Sequence, residues 1–249
     1  MSRGWLAELR ADAARIKTLG ELAGACRAVR QALRFEYYAL GLRLPTSFVD
    51  PEVMVLDDYP DGFRELYRRL DGLQTDPVLL RTYQQAGPVF WDEEFARARR
   101  GSPATHYVDA LRGLGLRAGI SCPVRGAQGD FVLFSLATGL DDSETRAGLR
   151  AVAPEAMLAA AWLHDTAARL TCPDAAAGLT ARERECLLWC AEGCSAPELA
   201  QRLGIAERTV VFHLGNAVTK LGASSRQQAV ARAVALGVVE PRATTMPAG

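Results

Sequence analysis

Three histidines and six cysteines have the widest chemical range in this 249-residue chain, and their spacing gives them little to do. His106, His164 and His213 form no ligand cluster, and no G-x-S-x-G elbow presents a nucleophilic serine. Cys186, Cys190 and Cys194 recur every fourth residue. On one helix the outer two would stand roughly 12 Å apart at 1.5 Å rise per residue. One zinc with bonds of about 2.3 Å cannot take all three. They read as core or surface thiols, so neither an enzyme nor a metal or cofactor site is expected.

A second stretch points to non-covalent chemistry. In "AERTVVFHLGNAVTKLG" (206–222), Val210, Leu214, Ala217 and Leu221 fall at i, i+4, i+7 and i+11, the stripe of a helix packed on a core. The opposite face should be solvated, yet it holds Val211, Phe212 and Gly215 beside Arg208, Asn216 and Thr219. The major groove of DNA suits such a face. Gly215 would admit the backbone, and Val211 and Phe212 would touch thymine methyls. Arg208, Thr209, Lys220 and Arg226 would reach phosphates, with His213 and Asn216 as flanking hydrogen-bonding groups. The competing reading packs Val211 and Phe212 against a partner helix.

The bulk numbers leave room for both. Apolar residues make up 49% of the chain, and 29 basic side chains balance 29 acidic ones. Residues 1–177 hold 21 basic and 23 acidic groups, and residues 178–249 hold 8 and 6. That asymmetry permits a nucleic-acid module at the C-terminal end. The N-terminus has no signal-peptide core, and no run of about 18 apolar residues occurs. A cytoplasmic protein without membrane contact, its thiols reduced, is the expectation.

The elements that must position these residues fall into two sets. Helices are expected near 5–17 and 21–34, strands at "YALGLRLP" (38–45) and "EVMVLDD" (52–58), and helices near 61–71 and 76–85. "PVFWDE" (88–93) reads as a short strand, 105–114 as a helix, and "LRAGISCPV" and "DFVLFSLAT" as a hairpin around "RGAQG". A long helix spans 143–168, with Pro154 a kink or break. The fold class is therefore α+β, an α-β-α sandwich over 1–168. A linker follows at 169–178, then a four-helix helix-turn-helix domain at 179–240 and a tail at 241–249. Capping boxes at Thr180/Glu183, Ser195/Glu198 and Ser224/Gln227 start helices, and Gly193, Gly204, Gly222 and Gly237 end them.

The C-terminal stretch "LTARERECLLWCAEGCSAPELAQRLGIAERTVVFHLGNAVTKLGASSRQQAVARAVALGVV" resembles the DNA-binding domain of LuxR-type transcription regulators. The matches include Leu179-Thr180, Arg182-Glu183, Glu198-Leu199-Ala200, Thr209-Val210, His213, Asn216 and Lys220-Leu221. Two positions depart. Ala206 stands where a capping Ser is usual, a loss of about 1 kcal/mol of helix stability. Cys194 replaces a common Lys and removes a phosphate contact.

What controls such a domain depends on the first 170 residues. A phosphorylated receiver is tempting from "VMVLDDYP" (53–60). It also needs a downstream lysine, and the chain has only Lys17 and Lys220, neither of them suitably placed. "YPDGFRELYRRLDGLQTDP" (59–77), "PVFWDE" and "GLRAGISCPVRGAQGDFVLFSLAT" instead resemble the autoinducer-binding domain of quorum-sensing LuxR-type receptors. The resemblance implies an acyl-homoserine lactone: a greasy tail, an amide and a lactone carbonyl, needing apolar walls and few polar contacts. It implies that Asp76 accepts the ligand amide N–H and Tyr59 donates to the acyl carbonyl, with Ser135 as a second hydroxyl. Tyr67, Trp91 and Tyr107 would pack around the ligand, with Leu40, Val53, Val55, Val78 and Phe131 as further wall.

Phe63 departs from that pattern. It stands where the family usually has a tryptophan whose N–H binds the lactone carbonyl, and phenylalanine has no donor. Val78, where Thr is often seen, removes another polar contact. The expected protein is a ligand-responsive regulator that dimerises on near-palindromic double-stranded DNA, with RNA polymerase as a further partner. The alternatives are a receptor for a non-lactone signal, or one that folds without ligand, a signal-degrading hydrolase, and a helical interaction module that never meets DNA.

Overall fold

The computed structural model describes residues 4–44, 47, 49–126, 129–171 and 178–239. It divides into two compact units, Met1–Gly126 with Phe131–Thr171, and Ala127–Asp130 with Cys172–Gly249. The first unit opens with α1 (Gly4–Ala13) and α2 (Leu19–Ala32), the latter capped by Thr18, whose hydroxyl accepts from the Glu21 N–H. Then come β1 (Tyr37–Arg43), β2 (Val53–Asp57), α3 (Phe63–Arg69), α4 (Gly72–Thr75) and α5 (Pro77–Thr82). β3 (Val89–Phe90), α6 (Trp91–Arg97), α7 (Pro103–Gly113), β4 (Ala118–Arg125), β5 (Phe131–Thr138) and α8 (Ser143–Thr171) complete it.

The five strands form one antiparallel sheet in the order β2-β1-β5-β4-β3. Strand periodicity splits its side chains between two layers. In β1, Tyr38, Leu40 and Leu42 are buried, whereas Tyr37, Ala39, Gly41 and Arg43 are half-buried. The layer of α1, α2 and α8 packs on β1, β4 and β5, and α5 and α6 pack on β4. The result is the expected α-β-α sandwich. In α8 the buried positions include Ala153, Ala156, Ala159, Ala160 and Ala167, small enough to let the helix lie close to its neighbours.

Several boundaries differ from expectation. Val89–Phe90 alone are extended in "PVFWDE"; Trp91 starts α6, because Asp92, Glu93 and Glu94 complement the positive end of a helix. The short helix α4 was not anticipated. Pro154 does not break α8, which runs through it to Thr171. The residue is exposed, so the carbonyl left without an N–H partner is accessible to water.

The second unit holds α9 (Ala181–Ala191), α10 (Ala196–Leu203), α11 (Glu207–Lys220) and α12 (Arg226–Ala235) around Leu187, Leu199, Val210, Leu214, Ala217, Ala229 and Ala233. Thr180 and Glu183 form a reciprocal capping box, and the Glu198 carboxylate accepts from the Ser195 N–H and hydroxyl. The third start lies one residue later than expected. Ser225 caps α12 by accepting from the Gln228 N–H, and Gln228 Oε1 accepts from Ser224. Gly193, Gly204, Gly222 and Gly237 all adopt positive φ where the helices stop. Most of the expected linker and the tail lie outside the described residues.

Candidate functional site

A cavity of about 440 Å³ lies in the first unit, lined by β1, β2, β4, β5 and helices α3 to α7. Its polar centre is built by local backbone signals. In "TDPV", Asp76 is the N-cap of α5 and Pro77 its first residue, a pairing that fixes the aspartate carboxylate over the helix start. Asp76 Oδ1 accepts from the backbone N–H of Val78 (2.9 Å) and Leu79 (3.2 Å). The Tyr107 hydroxyl donates to Oδ2 at 3.2 Å.

A carboxylate offers about four acceptor positions; these three donors leave one unfilled, and Asp76 lines the cavity. Among the described residues no Lys or Arg pairs with Asp76. Burial therefore pushes its pKa up to about 6, against the opposing hydrogen bonds from Leu79, Val78 and Tyr107.

The same cavity is lined by a pair of serine hydroxyls. Trp91 Nε1 donates to Ser121 Oγ at 2.9 Å, and Ser121 Oγ lies 2.7 Å from Ser135 Oγ. Tyr59 lines the same cavity, and burial raises its pKa well above that of an exposed tyrosine. Around these groups run aromatic contacts, edge-on except for the tilted Phe63–Tyr67 pair. Phe63 lies 4.7 Å from Tyr59 and 5.6 Å from Tyr67, and Tyr67 lies 5.9 Å from Tyr107, between ring centroids. Val53, Val55, Val78 and Phe131 also line the cavity.

One wall residue is corrected. Leu40 does not line the cavity: it is 2% exposed, whereas Ala39, Gly41, Leu42 and Arg43 of β1 do line it. Ser121 was missed, although the hairpin register that pairs Arg125 with Phe131 also pairs Ser121 with Ser135. Counting back from the "RGAQG" turn would have found it. Arg43, Tyr83 and Leu133 are further lining residues that the sequence reading passed over.

In the second unit, α11 buries Val210, Leu214 and Ala217 and leaves Val211 56% and Phe212 63% exposed. Gly215 opens onto free space, Arg208 is exposed, and Thr209, His213 and Asn216 are half-buried. No side chain caps the helix at Ala206, as the missing hydroxyl implied.

Two proposed phosphate ligands are already engaged. Lys220 Nζ donates to both carboxylate oxygens of Glu183, at 2.9 and 2.8 Å. Glu183 is 2% exposed; burial opposes its ionisation, but Lys220 and the Thr180 N–H hold its pKa below the usual range. Arg226 donates to Cys190 Sγ and to the Cys194 carbonyl, tying the start of α12 to the end of α9. Both side chains hold the bundle together. Sequence position placed them near the helix ends but gave no sign of these partners.

Residues 18–167 match the autoinducer binding domain, and residues 177–233 match the bacterial regulatory proteins of the luxR family. The transcriptional activator protein SolR of Ralstonia nicotianae is 36% identical over 220 residues, which cover 85% of this chain and 88% of SolR. The crystal structure of Escherichia coli SdiA superposes with a TM-score of 0.74 at 26% identity, covering 96% of this chain and 99% of that one. SdiA in complex with octanoyl-rac-glycerol gives 0.76 at 25% identity, covering 96% and 97%. Among the described residues no helix is long and apolar enough to cross a membrane. The autoinducer-binding match over residues 18–167 and the luxR-family match over residues 177–233 place this chain in the LuxR family of quorum-sensing transcription regulators.

Proposed function

We propose that the cavity binds an N-acyl homoserine lactone, and that the protein then binds a near-palindromic DNA site as a homodimer in the cytoplasm and contacts RNA polymerase there. The observation that carries the ligand reading is Asp76, a carboxylate without a cation that lines an apolar cavity and keeps one acceptor position unfilled. An amide N–H satisfies that position. On the other side, Trp91 Nε1 donates to Ser121, which shares a hydrogen bond with Ser135, and Tyr59, on the same cavity wall, donates to the acyl carbonyl. An N-acyl amide presents one donor and one acceptor. Ligand burial fills the cavity and stabilises the folded unit by mass action.

On α11, Arg208 and Thr209 would meet phosphates, while Val211, Phe212, Gly215 and Asn216 face the bases. Two such helices, related by a two-fold axis, read half-sites about one helical turn apart. DNA selected from a random pool by the ligand-saturated protein tests this. Two-fold symmetric sites bound by two chains support it; asymmetric sites bound by one chain overturn it.

A second reading rests on Phe63, which offers no donor to a lactone carbonyl. A neutral amphiphile with a different head group then fits as well, and the related SdiA structure holds octanoyl-rac-glycerol.

A further inference from the structure

The cavity has a second polar end that the lactone does not explain. Along β1 and β5 three cross-strand pairs form its floor: Ala39 with Ser135, Gly41 with Leu133, and Arg43 with Phe131. Four residues of antiparallel strand separate Ser135 from Phe131, roughly 13 Å at about 3.4 Å per residue. The floor therefore begins at the serine hydroxyls, passes a glycine and a leucine, and ends at a guanidinium. Gly41 lines the floor without a side chain, leaving room for a chain to lie along it.

Arg43 is half-buried, and its Cζ lies 5.8 Å from the centroid of the Phe131 ring. Arg125 approaches the same ring at 5.4 Å, but its hydrogen bonds go to the carbonyls of Thr82 and Gln85. Arg64, the third arginine near the cavity, is paired with Asp57 at 2.7 Å. Arg43 differs from both: among the described residues no carboxylate or carbonyl accepts from it. A guanidinium carries five N–H donors in a planar fork. Laying a hydrocarbon end against it would strip water from a charge and return nothing.

We infer that Arg43 recognises a terminal oxygen acceptor on the far end of the ligand's chain, a carboxylate being the best match to its fork. The ligand is then a two-headed amphiphile. Its amide end sits between Asp76 and Tyr59, its apolar middle lies over Gly41 and Leu133, and its second acceptor meets Arg43. This rests on the reading of the cavity as an amphiphile site and adds a requirement at the opposite end. It also makes Arg43 a specificity-determining residue, since charge-assisted, bidentate pairing is stronger and more directional than apolar contact.

The test uses the full chain and three synthetic N-acyl homoserine lactones of equal chain length, ending in a methyl, a carboxylate or an amine. Kd is measured for each with the native protein and with Arg43→Met, which keeps the length and removes the charge. The expected result is carboxylate binding at least about tenfold tighter than methyl, with the amine weakest. In Arg43→Met the order of carboxylate and methyl should reverse. Tightest binding of the methyl-ended chain by the native protein, unaffected by Arg43→Met, overturns the assignment of Arg43 and leaves the amphiphile site standing. If none of the three binds either protein, the lactone reading falls, and the two-headed lactone assigned to Arg43 falls with it. The native protein's own preference among the three ligands decides the matter even if the variant does not fold.

Discussion

Replacing Phe63 with tryptophan adds a single N–H donor at a cavity-wall position that has none. Phe63 lies 4.7 Å from Tyr59 and 5.6 Å from Tyr67, so a larger ring there stays among the same aromatic neighbours. A hydrogen bond contributes about 1 kcal/mol net, and up to about 3 kcal/mol where the carbonyl would otherwise be buried unpaired. Lactone binding should therefore tighten roughly fivefold to a hundredfold. The opposing effect is crowding: extra ring atoms in a cavity of about 440 Å³ cost about 1–3 kcal/mol where the wall cannot give. An N-acyl cyclopentylamide of the same chain length separates the two effects, because it keeps the amide and ring but has no lactone carbonyl. Calorimetric Kd values for both ligands on both proteins form a double cycle. Phe63→Trp should improve the lactone relative to the cyclopentylamide by at least about fivefold. Equal changes for the two ligands would refute the reasoning, because the carbonyl would then not face position 63.

Three further outcomes follow from the same geometry. Burial raises the Asp76 pKa from 3.8 to about 6, so the unliganded protein loses stability as pH rises through that window, the charged form being the one burial disfavours. A ligand N–H favours the ionised carboxylate, so ligand affinity should rise as pH climbs through about 6. Asp76→Asn, which keeps the helix cap, should flatten that titration and weaken binding by about 1.5–3 kcal/mol. Leu40→Ala should destabilise the first unit by about 2–5 kcal/mol in thermal denaturation without changing the ligand preference, whereas Val55→Ala should shift the preferred chain length at little cost in stability. Arg208→Ala should leave the Tm unchanged and reduce the salt slope of DNA binding by about 1, whereas Lys220→Met should lower the stability of the second unit by about 1 kcal/mol, its ion pair being partly exposed.

Periodicity and capping made most of the fold legible. The buried stripe of α11, the four glycine stops and two of the three capping boxes follow from residue types a few positions apart, which is the range over which helices are specified. The boundaries that differed, in "PVFWDE" and at Pro154, turned on weaker balances: an acidic first turn against a short apolar run, and one exposed proline against a helix of 29 residues. At the candidate site, the family pattern brought Asp76, Tyr59, Tyr67, Trp91, Tyr107 and Ser135 together. Leu40 and Leu42 share one face of β1, yet only Leu42 of the two reaches the cavity, a distinction that residue type and spacing do not carry. Lys220 and Arg226 escaped for a different reason. Their partners, Glu183 and Cys190, lie 37 and 36 residues away, and no local pattern connects them.

The most direct measurement is the Tm and soluble yield of the full chain expressed with and without N-acyl homoserine lactones graded by chain length. If the cavity is completed by such a ligand, one of them raises both sharply, and neighbouring lengths raise them less. A protein equally soluble and equally stable with every lactone and with none would contradict the account, and extraction of the purified chain would then show which other small molecule occupies the cavity.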